Sequence, residues 1–88
     1  MDYLVDFESA ALRQFNKLDK NIQARLKPKI DALAKNPRPH GVKKLQGYEN
    51  RYRIRVGDYR VLYEIHDSML LVLVVDVGNR GWIYRQRK

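Results

Sequence analysis

Residues 51–63, RYRIRVGDYRVLY, form the most informative segment of the chain. Two runs of alternating residues flank Gly57-Asp58, a pair that predicts a two-residue hairpin turn. Glycine at the first turn position favours a type II′ turn, because that position requires a positive φ. A turn of two residues also fixes the strand register, so Arg55 is expected to face Arg60.

Side-chain alternation gives this hairpin one apolar face and one basic face. The apolar face carries Tyr52, Ile54, Val56, Tyr59, Val61 and Tyr63. The other face carries Arg53, Arg55 and Arg60 and is expected to look towards solvent. Like charges placed directly opposite each other destabilise a sheet by a few tenths to about 1 kcal/mol. A fold does not need such a cluster, whereas a phosphate-binding surface does; the alternative is a solvated strand face on which arginine is tolerated.

The charge of the whole chain is strongly positive and uneven. The net charge is +8, with seven Lys/Arg against five Asp/Glu in residues 1–37 and eleven against five in residues 38–88. A basic half on a small domain suggests a polyanionic partner, most simply nucleic acid. An acidic protein partner is the other option.

Composition excludes several classes of function. The chain has no cysteine, which excludes disulfides, thiolate metal sites and a thiolate nucleophile and fits a reducing cytoplasm. Residues 1–6 lack the basic and apolar regions of a signal peptide, and the longest apolar run, 69–75, is far too short to span a membrane. We expect one cytoplasmic domain over residues 1–88, without a membrane or small-molecule partner.

The N-terminal half predicts a strand followed by two helices. Alternation over Tyr3–Phe7 predicts the strand, and Ser9 is a plausible N-cap for the first helix. Asp19 or Asn21 can cap the second helix. Pro28 interrupts its apolar pattern, so we expect a bend near residues 24–28 or a helix that begins closer to Pro28.

The C-terminal half predicts a sheet. Strands are expected at 42–45, 51–56, 59–66 and 69–77, the last buried on both faces, with a break at 78–81 and an extended piece at 82–84. The order β-α-α-β-β-β indicates an α+β fold, a small and mostly antiparallel sheet with the helical hairpin packed on one face. The apolar hairpin face should meet the helices.

Three segments in combination resemble the RelE family of toxin–antitoxin toxins. They are Lys43–Gly47, Tyr52–Ile65 and Val77–Arg80 followed by Tyr84, and the similarity covers nearly the whole chain. The related ParE family shares the hairpin but generally lacks the Val-Gly-x-Arg turn with a tyrosine shortly after it. Arg80 and Tyr84 therefore favour RelE.

The resemblance implies a function and a set of partners. RelE-like toxins are cytoplasmic ribonucleases that cut messenger RNA in the ribosomal A site without a metal or cofactor. A co-expressed antitoxin wraps and silences them. The implied partners of this chain are thus a cognate antitoxin, the ribosome and messenger RNA.

The resemblance also implies roles for individual residues. Arg53 and Arg55 match two basic strand positions that engage the scissile phosphate and assist proton transfer, and Arg60 matches the arginine that stabilises transition-state charge. Arg80 matches an arginine that acts as acid or phosphate clamp, and Tyr84 a tyrosine that stacks on the cut nucleotide. Further expected RNA contacts are Lys43, Lys44, Arg51 and Arg85.

Departures from the family pattern leave the general base open. Some members have lysine where this chain has Arg53 and Arg55, and arginine is a poor base because it stays protonated. Asn79 stands where many relatives have histidine or lysine. The two histidines, His40 and His66, are interpreted as surface residues, and Asp76 as part of a structural salt bridge or hydrogen bond. Two alternatives to an active ribonuclease remain, a ParE-like toxin that inhibits a topoisomerase and a degenerate member that only binds RNA or its antitoxin.

Overall fold

A computed structural model of the chain describes residues 2–79. Its helices and strands are β1 (Leu4–Phe7), α1 (Ser9–Asn16), α2 (Lys20–Asp31), β2 (Lys43–Lys44), β3 (Arg51–Val56), β4 (Tyr59–His66) and β5 (Leu71–Asn79). Short 3₁₀ turns lie at Ala32–Ala34 and Asp67–Met69. Over these residues the sheet order is β1-β5-β4-β3-β2, with β1 parallel to β5 and the other pairs antiparallel. The predicted α+β fold is confirmed, and the extended piece at 82–84 lies outside the described residues.

The predicted hairpin is confirmed in its strands, its turn and its register. β3 and β4 have the predicted bounds, and Arg55 is the register partner of Arg60. Gly57 has a φ of +60°, the positive value that the first position of the turn requires. A Cβ at Gly57 would also come 2.7 Å from Nη2 of Arg25 on α2. Glycine therefore suits this turn for its backbone angle, since the end of the Arg25 side chain can move away.

The two helices cover one face of the sheet, and the apolar face of the hairpin packs against them as predicted. The buried core consists of Ala11, Phe15, Leu26, Ile30, Leu33, Ile54, Val61, Tyr63, Ile65, Val72, Val74 and Val77. Burying a side chain of this kind stabilises a fold by about 1.5–3 kcal/mol. Tyr63 is completely buried, and its hydroxyl donates a hydrogen bond of 2.7 Å to the carbonyl oxygen of Pro37. None of the helices in residues 2–79 is long and apolar enough to cross a membrane.

The N-cap of α2 is Asp19, one of the two residues predicted, whereas the N-cap of α1 differs from the prediction. Glu8 rather than Ser9 is the N-cap of α1, because the chain stays extended at Glu8, where the backbone N–H donates to the Val74 carbonyl at 2.9 Å. The prediction that α2 begins closer to Pro28 is wrong, since the helix runs from Lys20 through the proline. Pro28 is exposed, so water can reach the carbonyl that its missing N–H leaves without a partner.

The central strand β5 also differs from its prediction. It continues to Asn79 instead of ending at residue 77, because Gly78 and Asn79 still pair with β4. The side chains facing the helices are buried, but Leu71, Leu73 and Val75 are only half-buried. The expectation of burial on both faces is therefore met in part.

A β-bulge interrupts the pairing of β4 with β5. Tyr63 pairs with Val74, but the next residue back, Leu62, pairs with Asp76, which leaves Val75 as an extra residue in β5. Regular alternation from Val74 would place Asp76 on the core face. The bulge places it instead on the face that carries Leu62, since register partners in an antiparallel pair point to the same side.

Candidate functional site

The candidate site lies on the open face of the sheet, the face turned away from α1 and α2. Lys43 on β2 is the register partner of Arg53 on β3, and Arg55 is the partner of Arg60 on β4. Four cations from three adjacent strands thus lie on one face. Lys44 pairs with Tyr52, whose ring is on the helix side, so the structure separates Lys44 from the other four.

Arg60 differs from the other cations of this face in its burial. Only 2% of its surface is exposed, so the prediction that it faces solvent is wrong. β4 lies between β3 and β5, and Leu62, the next residue on the same face of β4, is also buried. Arg53 is half-buried, and Arg55, which lies on β3 beyond the two-residue strand β2, is exposed. The open face therefore holds a buried guanidinium at Arg60 beside more accessible ones.

Arg51 has a carboxylate partner on the same face. Its Nε lies 2.9 Å from Oε2 of Glu64, and its guanidinium lies 4.6 Å from the centre of the Tyr48 ring. Nε2 of His66 lies 3.0 Å from the other oxygen of Glu64. Burial opposes the ionisation of Glu64, but the hydrogen bonds with His66 and Arg51 outweigh it and hold the pKa of the carboxyl below its usual range. The positive charge of Arg51 is thus largely neutralised within the fold.

A second charged cluster, centred on Asp67, was not predicted from the sequence. Asp67, in the turn between β4 and β5, accepts hydrogen bonds of 2.9 and 3.3 Å from Arg38 and one of 2.6 Å from the Tyr3 hydroxyl. The Arg38 guanidinium also lies 5.3 Å from the centre of the Tyr52 ring. Hydrogen bonds from Arg38 and Tyr3 lower the pKa of Asp67. This cluster ties the N-terminus to the loop after the helices, and its role is structural.

Asp76 is the carboxylate that the bulge brings to the open face. Its register partner Leu62 lies between it and Arg53, so the three residues form one row across β5, β4 and β3. Arg60 lies two residues before Leu62 on the same face. The Oδ1 atom of Asp76 is buried and accepts no hydrogen bond from the residues that the structure describes. The structural hydrogen bond or salt bridge expected from the sequence is therefore not made by this oxygen.

The remaining predicted site residues, Arg80, Tyr84 and Arg85, lie outside the described residues. Within residues 2–79 no three His, Cys, Asp or Glu side chains are grouped so that they could hold a metal ion. The described part of the site is a shallow cationic surface suited to phosphate groups.

Comparison with known proteins shows the family to which the chain belongs. The family model described as "ParE toxin of type II toxin-antitoxin system, parDE" matches residues 5–84. The chain belongs to the RelE/ParE family of toxins.

Its similarity to members of the RelE branch extends over the chain. The mRNA interferase toxin RelE of Escherichia coli is 33% identical over 82 residues, which cover 91% of this chain and 85% of that protein. The structure of a double mutant of the free E. coli RelE toxin superposes on this chain with a TM-score of 0.80 at 30% sequence identity. The match covers 97% of this chain and 93% of the RelE chain. RelE in the intact E. coli RelBE toxin–antitoxin complex has a TM-score of 0.79 at 32% identity, with coverage of 88% and 95%.

The RelE/ParE family contains both of the functional classes that the sequence left open. The matching model is described by ParE, whereas the relatives above are described by RelE. The fold therefore does not show whether the chain is a ribonuclease or a topoisomerase inhibitor. The side chains of the open face have to distinguish these two functions.

Proposed function

We propose that the chain is the toxin of a type II toxin–antitoxin system and an endoribonuclease that cleaves messenger RNA in the ribosomal A site without a metal ion. The observation that carries the proposal is the arrangement of Lys43, Arg53, Arg55 and Arg60 on one sheet face. The similarity to the mRNA interferase RelE of E. coli supports the same reaction. The arginines and Tyr84 are proposed to have the roles that the resemblance to the RelE family implies.

The proposed chemistry uses the ribose 2′-OH as the nucleophile on the adjacent phosphorus. Charge develops on the phosphorane oxygens, and preorganised cations stabilise it more in the transition state than in the ground state. Arg53 and Arg55, both on β3, are proposed to bind the scissile phosphate. Arg60 is buried, so it is already held in position and loses little conformational freedom when the phosphate arrives.

The ribosome supplies the alignment that a shallow protein surface does not. In-line attack requires the 2′-OH, the phosphorus and the leaving oxygen to be held close to one line, and such positioning contributes much of the rate in reactions of this kind.

Two further residues complete the proposed site, Arg80 as an acid or clamp and Tyr84 as a stacking platform. Lys43, Lys44 and Arg85 are proposed to contact RNA phosphates more weakly. Arg51 is proposed to act chiefly by holding Glu64.

The proposed partner in the cell is an antitoxin that covers the open face. RelE is bound to RelB in the E. coli RelBE complex, and the net charge of +8 on this chain suits an acidic segment. Such an inhibitor would block the site by neutralising the arginines that the RNA phosphates need. We place the system in the cytoplasm, where ribosomes and messenger RNA are found.

The second candidate is a ParE-like toxin that inhibits a topoisomerase. The description of the matching family model favours it. A face of arginines that binds an acidic protein surface does not require the 2′-OH chemistry at all. The two candidates differ in the macromolecule that is damaged after induction.

The experiment that separates them is induction of the chain in cells followed by primer extension on several messengers. We expect new 5′ ends inside translated regions, which disappear when translation initiation on that messenger is blocked. Purified chain should cleave messenger on programmed ribosomes and leave plasmid supercoiling unchanged. Intact messenger together with inhibited DNA supercoiling would establish the ParE-like function instead.

A further inference from the structure

The bulge between β4 and β5 gives Asp76 a position that regular strand alternation would not. Without Val75 as an extra residue, the Asp76 carboxylate would point into the apolar core. With it, the carboxylate shares the open face with Arg53 and Arg60. Bulges of this kind are found next to active sites, where they re-aim a single side chain.

The bonding of Asp76 also separates it from the other carboxylates of the open face. Glu64 is held by Arg51 and His66, and Asp6 on β1 accepts the backbone N–H of Phe7 at 2.9 Å. Oδ1 of Asp76 is buried and accepts no hydrogen bond from any residue between 2 and 79. A buried acceptor without a donor is uncommon in folded proteins and is one of the signs of a group kept for chemistry.

The proposed cleavage needs a proton acceptor, and the open face offers few. Arginine remains protonated and cannot serve. His66 is engaged, with one ring nitrogen 3.0 Å from Glu64 and the other 3.4 Å from the Asn50 side chain. A carboxylate flanked by cations suits the task, since the cations bind the phosphate whose neighbouring 2′-OH the carboxylate must reach.

We propose that Asp76 is the general base of the cleavage reaction, an inference that rests on the ribonuclease function proposed above. The carboxylate accepts the proton of the ribose 2′-OH while the 2′ oxygen forms its bond to phosphorus. The bond between phosphorus and the 5′ oxygen breaks, and that oxygen takes a proton from solvent water. The products are a 2′,3′-cyclic phosphate and a 5′-hydroxyl, and Asp76 then returns its proton to solvent.

The test is the pH dependence of single-turnover cleavage on programmed ribosomes between pH 6 and 8.5. Carboxylates are ordinarily ionised over this whole range, so the wild-type rate should be nearly independent of pH. Asp76→Asn keeps the size of the side chain and removes the base. Its rate at pH 7 should fall by at least about 100-fold, within the usual range for general base catalysis. It should also rise about tenfold per pH unit, because ionisation of the 2′-OH is then the remaining route.

Two further variants distinguish a base from a structural residue. Asp76→Glu retains a carboxylate and should keep a flat profile at a reduced rate. Asp6→Asn changes an exposed carboxylate of the same face on the edge strand β1 and should behave as wild type. A structural role for Asp76 predicts instead that Asp76→Asn lowers the rate by the same factor at every pH.

The possible failures of this inference and of the proposed function are distinct. A wild-type protein that leaves messenger intact on ribosomes overturns the ribonuclease function, and the role of Asp76 with it. Wild-type cleavage that itself rises tenfold per pH unit overturns only the role of Asp76. The same holds if Asp76→Asn cleaves with the wild-type rate or with a profile parallel to wild type.

Discussion

Arg55 and Arg60 are register partners across the β3–β4 hairpin, yet Arg55 is exposed whereas only 2% of the Arg60 surface is. Two identical side chains on one face therefore have different surroundings. Arg60 lies on β4, between β3 and β5, while Arg55 lies beyond the short strand β2 at the edge of the sheet. An exposed cation can meet an incoming phosphate early, and a buried one is already in position when it arrives.

Substitution of either Arg60 or Arg55 should impair cleavage while leaving the stability of the fold nearly unchanged. Arg60→Met keeps most of the buried volume without the charge, so the free energy of unfolding should change by less than about 1.5 kcal/mol. Arg55→Ala should change it by less than about 0.5 kcal/mol, because the side chain is exposed. Both should slow ribosomal cleavage by at least roughly 100-fold, through lost stabilisation of the phosphorane. Urea unfolding and single-turnover cleavage measure the two effects, and normal cleavage by Arg60→Met would remove Arg60 from the site.

Glu64 should make the free energy of unfolding depend on pH in the acidic range. Its pKa is lower in the folded chain than its ordinary value of 4.5, so folding favours the ionised carboxylate. Its contribution is complete above that ordinary value and is lost as the pH falls through the lower, folded value. Glu64→Gln should therefore reduce the loss of stability between about pH 5 and pH 3, measured by urea unfolding at each pH. Glu49→Gln, at an exposed carboxylate, is the matched control, and equal acid sensitivity of the two variants would contradict the prediction.

Gly57 should tolerate no side chain in the hairpin turn. Its φ of +60° is strained for any L-residue with a Cβ, which costs about 1–2 kcal/mol. The approach of Arg25 should add little, because the end of that side chain is free to move. Gly57→Ala should thus destabilise the chain by a similar amount with Arg25 or with Arg25→Ala, as a double-mutant cycle in urea would show. A cost that vanishes with Arg25→Ala would mean that the close contact dominates.

The antitoxin should recognise the open face through charge. Arg53→Ala and Arg55→Ala should each weaken antitoxin binding by at least about tenfold, and the wild-type affinity should fall as salt is raised. Lys27→Ala is the matched control, because Lys27 is an exposed cation on α2 that pairs with Asp31 at 2.9 Å. Calorimetry at two salt concentrations measures both effects. Affinity that is independent of salt and of the arginines would place the antitoxin on another surface.

Arg80 and Tyr84 should distinguish an enzyme from a binding protein. Stacking of a base on an aromatic ring is worth about 1–3 kcal/mol, and an arginine near the leaving oxygen stabilises its charge. Arg80→Ala and Tyr84→Ala should each slow A-site cleavage by at least roughly tenfold, or about 1.4 kcal/mol, with a smaller effect on antitoxin binding. Naked RNA should be a poor substrate for wild type and variants alike, because the ribosome aligns the 2′-OH. Full ribosomal cleavage by both variants would remove these residues from the site.

The hairpin and the fold class could be predicted from the amino-acid sequence alone. Gly57-Asp58 allowed one compact turn, and a two-residue turn leaves no freedom in register, so the pairing of Arg55 with Arg60 could be predicted. The apolar periods likewise predicted both helices and the face they cover. These are local properties, set by residues that are close together in the chain.

Local sequence patterns do not show which side chains of the open face are buried or which carboxylate joins them. Arg60 is buried on β4, between β3 and β5, whereas its register partner Arg55 is exposed. Asp76 reaches the arginines because a bulge at Val75 reverses the alternation that the sequence implies. Arg38 and Tyr3 meet Asp67 across 29 and 64 residues of chain. Alternation and propensity act over a few residues, whereas burial, bulges and ion pairs depend on which distant strand packs alongside, and a local pattern does not carry that information.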